Sequence, residues 1–226
     1  TGANLSGANL SRVNLTGVNL AKVNFFNVNL TEANLTEANL TEAKLTGANL
    51  RGANLMGANL SDTDLTTVNL KGAILAGADL RNVILTGMDL SGVNFTGANL
   101  AHTDLSGADL IGANLMGANL SDANLSGANL SGGDLSGGDL KGANLSGANL
   151  TDADLTDAKL KGAILSDVNF TDVSLKFADL SSADLRNSNF TGMDLRDVNL
   201  SGVDLTGSNL SGAELTNVNL KDATLL

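Results

Sequence analysis

The residues of this chain that could do chemistry are few and isolated. His102 is the only histidine in 226 residues, and there is no cysteine. Neither a repeated-imidazole nor a thiolate metal site can therefore be assembled. Serine and aspartate are plentiful, but they recur at fixed places, and no nucleophile–base pair stands out from that background. The stretch Ser131-Gly132-Gly133-Asp134-Leu135-Ser136-Gly137-Gly138-Asp139 has the Gly and Asp content of a calcium-binding β-roll. It lacks that motif's nine-residue period and G-x-G-x-D order. Gly133 and Gly138 read instead as an inward small residue made smaller, which predicts a locally looser core. No catalytic residue, cofactor or metal is expected.

Acids are the remaining chemical resource. Twenty-four Asp and Glu against thirteen Lys and Arg give a net charge of −11. Residues 1–100 hold seven acids and six bases, whereas 101–226 hold seventeen acids and seven bases. That imbalance disfavours direct binding to nucleic acid, where clustered Lys and Arg are needed, and to anionic membrane. Candidate interaction residues are the acids Asp152, Asp157, Asp167 and Asp172 and the apolar Phe26, Met56, Ile84, Met116, Ile164 and Phe177. All ten stand where side chains should face solvent. The acids at such positions spread over all four sides of the architecture derived below, and the apolar residues stand several coils apart.

What must position these residues is a five-residue repeat. Every fifth residue from Leu5 to Leu225 is Leu, apart from Phe25, Phe95, Phe170 and Phe190. Two residues before each of these 45 centres stand 25 Ala, 12 Val and two each of Thr, Met, Gly and Ser. Asn or Asp usually precedes the centre, Ser or Thr follows, and Gly occupies the next place in 24 units. Alternation over Ala-Asn-Leu is a period-two signal that puts Ala and Leu on one side and Asn on the other. Leu-Ser-Gly-Ala is a β-turn, with Gly supplying the positive φ a type II turn needs at its third position. A helix is excluded, since a five-residue step rotates successive Leu by about 140° and leaves no apolar stripe.

Short faces joined by square corners close after four units, or 20 residues. Coils stacked at about 4.8 Å make a rod of some eleven coils, about 50 Å long. The units Ala3-Asn4-Leu5-Ser6-Gly7 and Ala123-Asn124-Leu125-Ser126-Gly127 carry this derivation. They also resemble the repeats of the pentapeptide-repeat proteins along the whole chain. The resemblance implies an all-β fold, a right-handed quadrilateral parallel β-helix, here one domain over 1–226 with no internal linker. Some members of that family resemble B-DNA in size and charge and bind DNA gyrase, so DNA mimicry is an alternative function.

Lys44, Ile74, Ile84, Lys159, Ile164, Ser174, Glu214 and Thr224 replace the usual Asn or Asp, which marks the corner bonds those residues make as individually dispensable. A column of hydroxyls at Ser6, Thr46, Thr66, Thr86, Ser106, Ser126, Ser146, Ser166 and Thr206 raises a weaker alternative, an extracellular adhesive or ice-binding face. The sequence shows no capping element, so end-to-end self-association is expected of the isolated segment. It shows no apolar run of the roughly 20 residues a membrane span needs and no leader, which favours a cytoplasmic location. The reading adopted is a non-enzymatic module, a rigid acidic rod acting as spacer or protein-binding scaffold for an unidentified protein partner.

Overall fold

Each five-residue unit turns the chain once. In the structure, a computed structural model that describes residues 2–225, the N–H of Ala113 donates to the carbonyl of Leu110 at 2.9 Å. The same bond closes the corner at Ala8 onto Leu5 and at Ala158 onto Leu155. The third corner residue has positive φ and the second does not, the signature of a type II turn. Glycine fills it in 24 units, but twenty other residues adopt it too, among them Glu37 at +56°, Asp157 at +58° and Phe177 at +60°. Thr67 is the one third-corner residue without positive φ among those described, as its branched Cβ dictates.

Corners repeat, so coils stack. Asn4 bridges Asn24 in parallel, Asn9 bridges Asn29, and the offset of 20 persists to Asp204 with Thr224. Four units therefore make one turn of the solenoid. Each face contributes a single bridged residue, and among the described residues none is extended into a longer strand. Three backbone bonds join each unit to the coil above and below it. Around Leu110 they are Leu110 N–H to the Asn129 carbonyl at 2.7 Å, Asn129 N–H to the Ala108 carbonyl at 2.9 Å, and Gly112 N–H to the Ser131 carbonyl at 2.9 Å. The register breaks at two pairs only, Asn69 with Asp89 and Ser174 with Asp194.

The interior is a stack of layers. From Phe25 to Leu205 every fifth residue is almost completely buried, the four Phe included. The second inward residue, Ala or Val, is buried beside each. Phe170 and Phe190 lie one coil apart with ring centroids 4.6 Å apart and planes within 8°. Beside Phe190 the inward partner has shrunk to Ser188, whose hydroxyl donates to the Leu165 carbonyl at 2.8 Å. Thr63 and Thr103 are likewise buried and bond to the carbonyls of Leu60 and Leu100. No buried side-chain polar atom lacks a partner among the described residues.

The expected loosening at Gly133 and Gly138 is not found. A Cβ at Gly133 would stand 3.0 Å from the Leu130 carbonyl oxygen, and one at Gly138 would stand 2.9 Å from that of Leu135 and 3.3 Å from Leu140 Cδ1. The core has closed over the missing methyl groups, and Asp134 keeps its bridges to Asn114 and Asp154.

Two substitutions test this packing. Leu110→Ala, in a layer with no free volume, lowers unfolding free energy by about 2–5 kcal/mol in denaturant titration. Glu37→Gly relieves a left-handed residue at a penalty of roughly 1–2 kcal/mol. The extra freedom of glycine in the unfolded chain offsets about 0.5–1 kcal/mol of that, so a small net gain in stability is expected.

Candidate interaction surface

The outward Asn and Asp side chains belong first to the corners. Asn129 Oδ1 accepts from the Ser131 N–H at 3.3 Å and from its hydroxyl at 2.9 Å. The same pattern runs from Ser6 on Asn4 to Lys221 on Asn219. Side-chain amides also link coils: Asn149 Nδ2 donates to Asn129 Oδ1 at 3.1 Å, and Asn124 Nδ2 to Asp104 Oδ1 at 3.1 Å. At the eight positions where Asn or Asp is replaced, no residue two places on donates to that side chain in this way, and seven of the eight keep all their bridges. The exception is Ser174.

Several carboxylates at the bridged position have their pKa lowered by the same geometry. The Thr66 hydroxyl and N–H lower the pKa of Asp64, and Ser91 and Ser106 do so for Asp89 and Asp104. Where the residue two places on is arginine, the contact is a two-pronged ion pair. Arg186 donates through Nε and Nη2 to both oxygens of Asp184, at 2.8 and 2.6 Å, and Arg81 does the same to Asp79. The Arg196 guanidinium holds Asp194 down to about 2. The signal for these pairs, Asp-Leu-Arg, is visible in the sequence at 79–81, 184–186 and 194–196, and sequence reasoning missed it.

All six apolar candidates are solvent-exposed: Phe26, Met56, Ile84, Met116, Ile164 and Phe177. The register brings three of them to one edge. Met56, Met116 and Phe177 flank the same corner, each about three coils or 14 Å from the next. Lys176 Nζ lies 5.0 Å from the Phe177 ring centroid. Ile84 and Ile164 sit at the centre of another face, and Phe26 at its margin. Ile74 and Ile111 are exposed as well, though neither was among the candidate interaction residues. Ile74 lies on the face whose margin carries Met56, in the adjoining coil.

Asp152, Asp157, Asp167 and Asp172 are exposed corner residues with positive φ. Asp152 and Asp172 stack on one corner, Asp157 stands across the same face, and Asp167 lies on the neighbouring corner. Corner acids taken alone are spread over the sides. The bridged column Asp134, Asp154, Asp194 and Glu214 changes the picture, because its flanks are the corners of Asp152, Asp172, Asp157 and Asp197. One face of the acidic half thus gathers eight carboxylates against Lys176 and Arg196.

The weaker candidates gain no partners. His102 is an exposed corner residue whose Nδ1 is 3.9 Å from Asp122 Oδ2. Among the described residues no three His, Cys, Asp or Glu side chains converge on a metal-sized point. Asp134 and Asp139 project from adjacent faces, Asp134 engaged with Ser136 and Asp139 with Lys141. In the hydroxyl column, Thr66, Ser126 and Thr206 donate back to the preceding Asx oxygen, so their hydroxyl protons are committed to the fold.

Comparison with known proteins agrees with this geometry. The family model described as Pentapeptide repeats matches at 1–32, 33–72, 73–110, 94–132, 134–167, 153–192 and 194–225. HetL from the cyanobacterium Nostoc sp. strain PCC 7120, a pentapeptide repeat protein involved in heterocyst differentiation regulation, is 35% identical. The match covers 96% of this chain and 92% of that one, with a TM-score of 0.56. QnrB1, a plasmid-mediated fluoroquinolone resistance protein, is 21% identical over 98% of this chain and 91% of its own, at a TM-score of 0.28. A thylakoid-lumen pentapeptide repeat protein from Arabidopsis thaliana is 38% identical over 50% of this chain and 71% of its own, at a TM-score of 0.27. Comparison with curated proteins gave no significant match.

The lowered carboxylates set an acid limit. Asp194 falls from its ordinary 3.8 to about 2 when folded, so its contribution is fully present above 3.8 and is lost as pH drops through about 2. Stability should therefore fall across that window, and Asp194→Asn should make the fall shallower. Denaturant titrations at stepped pH measure both slopes.

Proposed function

The chain belongs to the pentapeptide-repeat family, and from that premise we propose that it is a non-enzymatic interaction module, a solenoid rod that holds a protein partner along one edge. The observation that carries this reading is the alignment of Met56, Met116 and Phe177 on a single edge, each exposed by 46–53%. Large apolar side chains held in water at a regular interval suit a long partner better than a small ligand. Glu37, Asp157 and Asp197 share the edge with Lys176 and Arg196, so its charges are mixed and the apolar side chains carry the recognition. Similarity to HetL over nearly the full length of both chains supports a regulatory or scaffolding role rather than a catalytic one. We take the coil to wind right-handed, which agrees with the hand of parallel crossover connections and with the family.

DNA mimicry is a second reading, supported by the face that gathers Asp134, Asp152, Asp154, Asp157, Asp172, Asp194, Asp197 and Glu214. Arg196 and Lys176 on the same face interrupt it as a phosphate-like track.

Photo-crosslinking probes at 76, 96 and 136, on the same edge as Met56, Met116 and Phe177, should capture one protein in the source cells, and probes at 84 and 164 should not. The triple variant Met56→Ser, Met116→Ser, Phe177→Ser should abolish that capture while leaving the melting temperature unchanged. Equal capture at both sets of positions, or protection of gyrase from a quinolone in a supercoiling assay, would overturn the edge reading.

A further inference from the structure

Across the whole rod the coil-to-coil register fails twice, and both failures have the same cause. Asn69 is not bridged to Asp89, nor Ser174 to Asp194, whereas every other bridged position from Asn4 to Asp204 pairs with the residue 20 places on. Beside each failure stands one of the two inward methionines, Met88 or Met193. In each case the inward residue one coil earlier is valine, Val68 beneath Met88 and Val173 beneath Met193. The local sequences are parallel: Val68-Asn69-Leu70-Lys71 under Met88-Asp89-Leu90, and Val173-Ser174-Leu175-Lys176 under Met193-Asp194-Leu195.

Volume explains why this pair fails and others do not. Val198 under Val218 and Thr63 under Val83 lose some cross-coil bonds, Asn219 N–H to Val198 and Leu65 N–H to Ile84 among them, yet Asn199 still bridges Asn219 and Asp64 still bridges Ile84. Methionine over alanine is also accommodated. Above Met88 lies Ala108, and there Asp109 N–H reaches the Met88 carbonyl at 2.9 Å; above Met193 lies Ala213, and Glu214 N–H reaches the Met193 carbonyl at 2.8 Å. Met on Val is the one stacked pair among the described residues at which the bridge itself is lost, and the coils part on that side.

The parting removes backbone bonds over a whole face. The contacts that would run from Thr67 N–H to Thr86, Asp89 N–H to Val68, Leu70 N–H to Asp89 and Gly72 N–H to Ser91 are all missing. The same set is missing from Asp172 to Thr191, Asp194 to Val173, Leu175 to Asp194 and Phe177 to Arg196. Bonds are also missing at Ala43/Thr63 (Leu45 to Asp64) and Ala148/Val168 (Leu150 to Asn169), but there the bridges Lys44–Asp64 and Asn149–Asn169 persist. A cleft of about 410 Å³ opens at the first place, lined by Thr67, Val68, Lys71, Met88 and Asp89. One of about 330 Å³ opens at the second, lined by Val173, Ser174, Lys176, Asp194 and Arg196. At the first, Thr67 adds a second irregularity, its hydroxyl taking the Gly47 N–H at 2.9 Å.

We infer that the rod is jointed: the Val68/Met88 and Val173/Met193 seams, where a bridge is lost and a cleft opens, are built-in hinges. The seams lie on successive faces, so each bends the axis in a different plane. Exposed Lys71 and Asp89, 4.0 Å apart, and Lys176 beside Asp194 span the clefts as polar contacts that can lengthen without burying charge. Between the seams, from the coil of Ser91 to that of Thr151, the ladder is complete, so motion concentrates at the seams rather than there.

The chain has no cysteine, so paired labels can be placed cleanly. Spin labels at Arg51→Cys and Ile111→Cys lie three coils apart and span the first seam. Labels at Ser91→Cys and Thr151→Cys lie three coils apart, span neither seam and enclose a stretch whose ladder is complete. The first pair should give the broader distance distribution, and Met88→Ala or Val68→Ala in that background should narrow it to the width of the second. In hydrogen exchange, the amides of Leu70, Asp89, Leu175 and Asp194 should exchange at least about tenfold faster than those of Leu110 and Asn129. Val173→Ala or Met193→Ala should slow the second group by a similar factor. Equal widths and equal exchange in the unsubstituted protein would overturn the inference, as would alanine variants that fold but leave both readouts unchanged.

Discussion

The structure depends on one dimension, the distance between backbones in adjacent coils. Hydrogen bonding fixes it near 4.8 Å, and everything placed inside must fit that height. Leucine satisfies it at the centre of each face, with Phe170 and Phe190 lying flat enough to stack. The second inward place is narrower still, which is why alanine dominates there. Glycine below that volume draws the walls in, as at Gly133 and Gly138. Methionine on valine above it forces the walls apart. The backbone ladder thus responds to side-chain volume, and the bridge itself is lost only where methionine stacks on valine.

Corners answer to a different rule. They need a left-handed residue at a place that touches no core, and the tie from the Asx oxygen to the N–H two residues on is strong enough to impose it on Glu, Asp, Asn, Ser, Arg, Lys, His and Phe alike. Thr67 shows the limit, since a branched Cβ does not take that conformation. The surface polar groups are consequently engaged with the fold before they meet any partner. Most hydroxyls, amides and bridged carboxylates already have one bond within the chain, and the groups left free are corner carboxylates and the exposed Met, Ile and Phe side chains.

Much of this was legible in the sequence. Leu at every fifth place, with Ala-Asn before it and Ser-Gly after, leads to a four-sided coil with Leu and Ala inside, and the parallel pairing of Asn4 with Asn24 agrees. Exposure of Phe26, Met56 and Phe177 follows from the same phase. What could not be read locally is what depends on residues 20 apart acting together. Met88 is an ordinary apolar residue in its own unit, and only stacking places it on Val68. The same holds for the face on which Asp134, Asp154 and Asp194 meet Asp152 and Asp157. The Asp-Leu-Arg pairs were within local reach, since their spacing alone brings guanidinium and carboxylate together.

The twenty non-glycine corners have a consequence for how such a chain can vary. A residue there touches solvent, leaves the ladder intact and carries a modest, nearly uniform conformational penalty whatever its charge. Each corner is therefore a site at which the outer character of the rod can be rewritten one unit at a time, while the interior continues unchanged. The excess of Asp at 152, 157, 167 and 172 sits in that freely editable layer. Two solenoids with the same interior can in this way present opposite electrostatic faces, and the solenoid separates the part of the sequence that builds it from the part that addresses others.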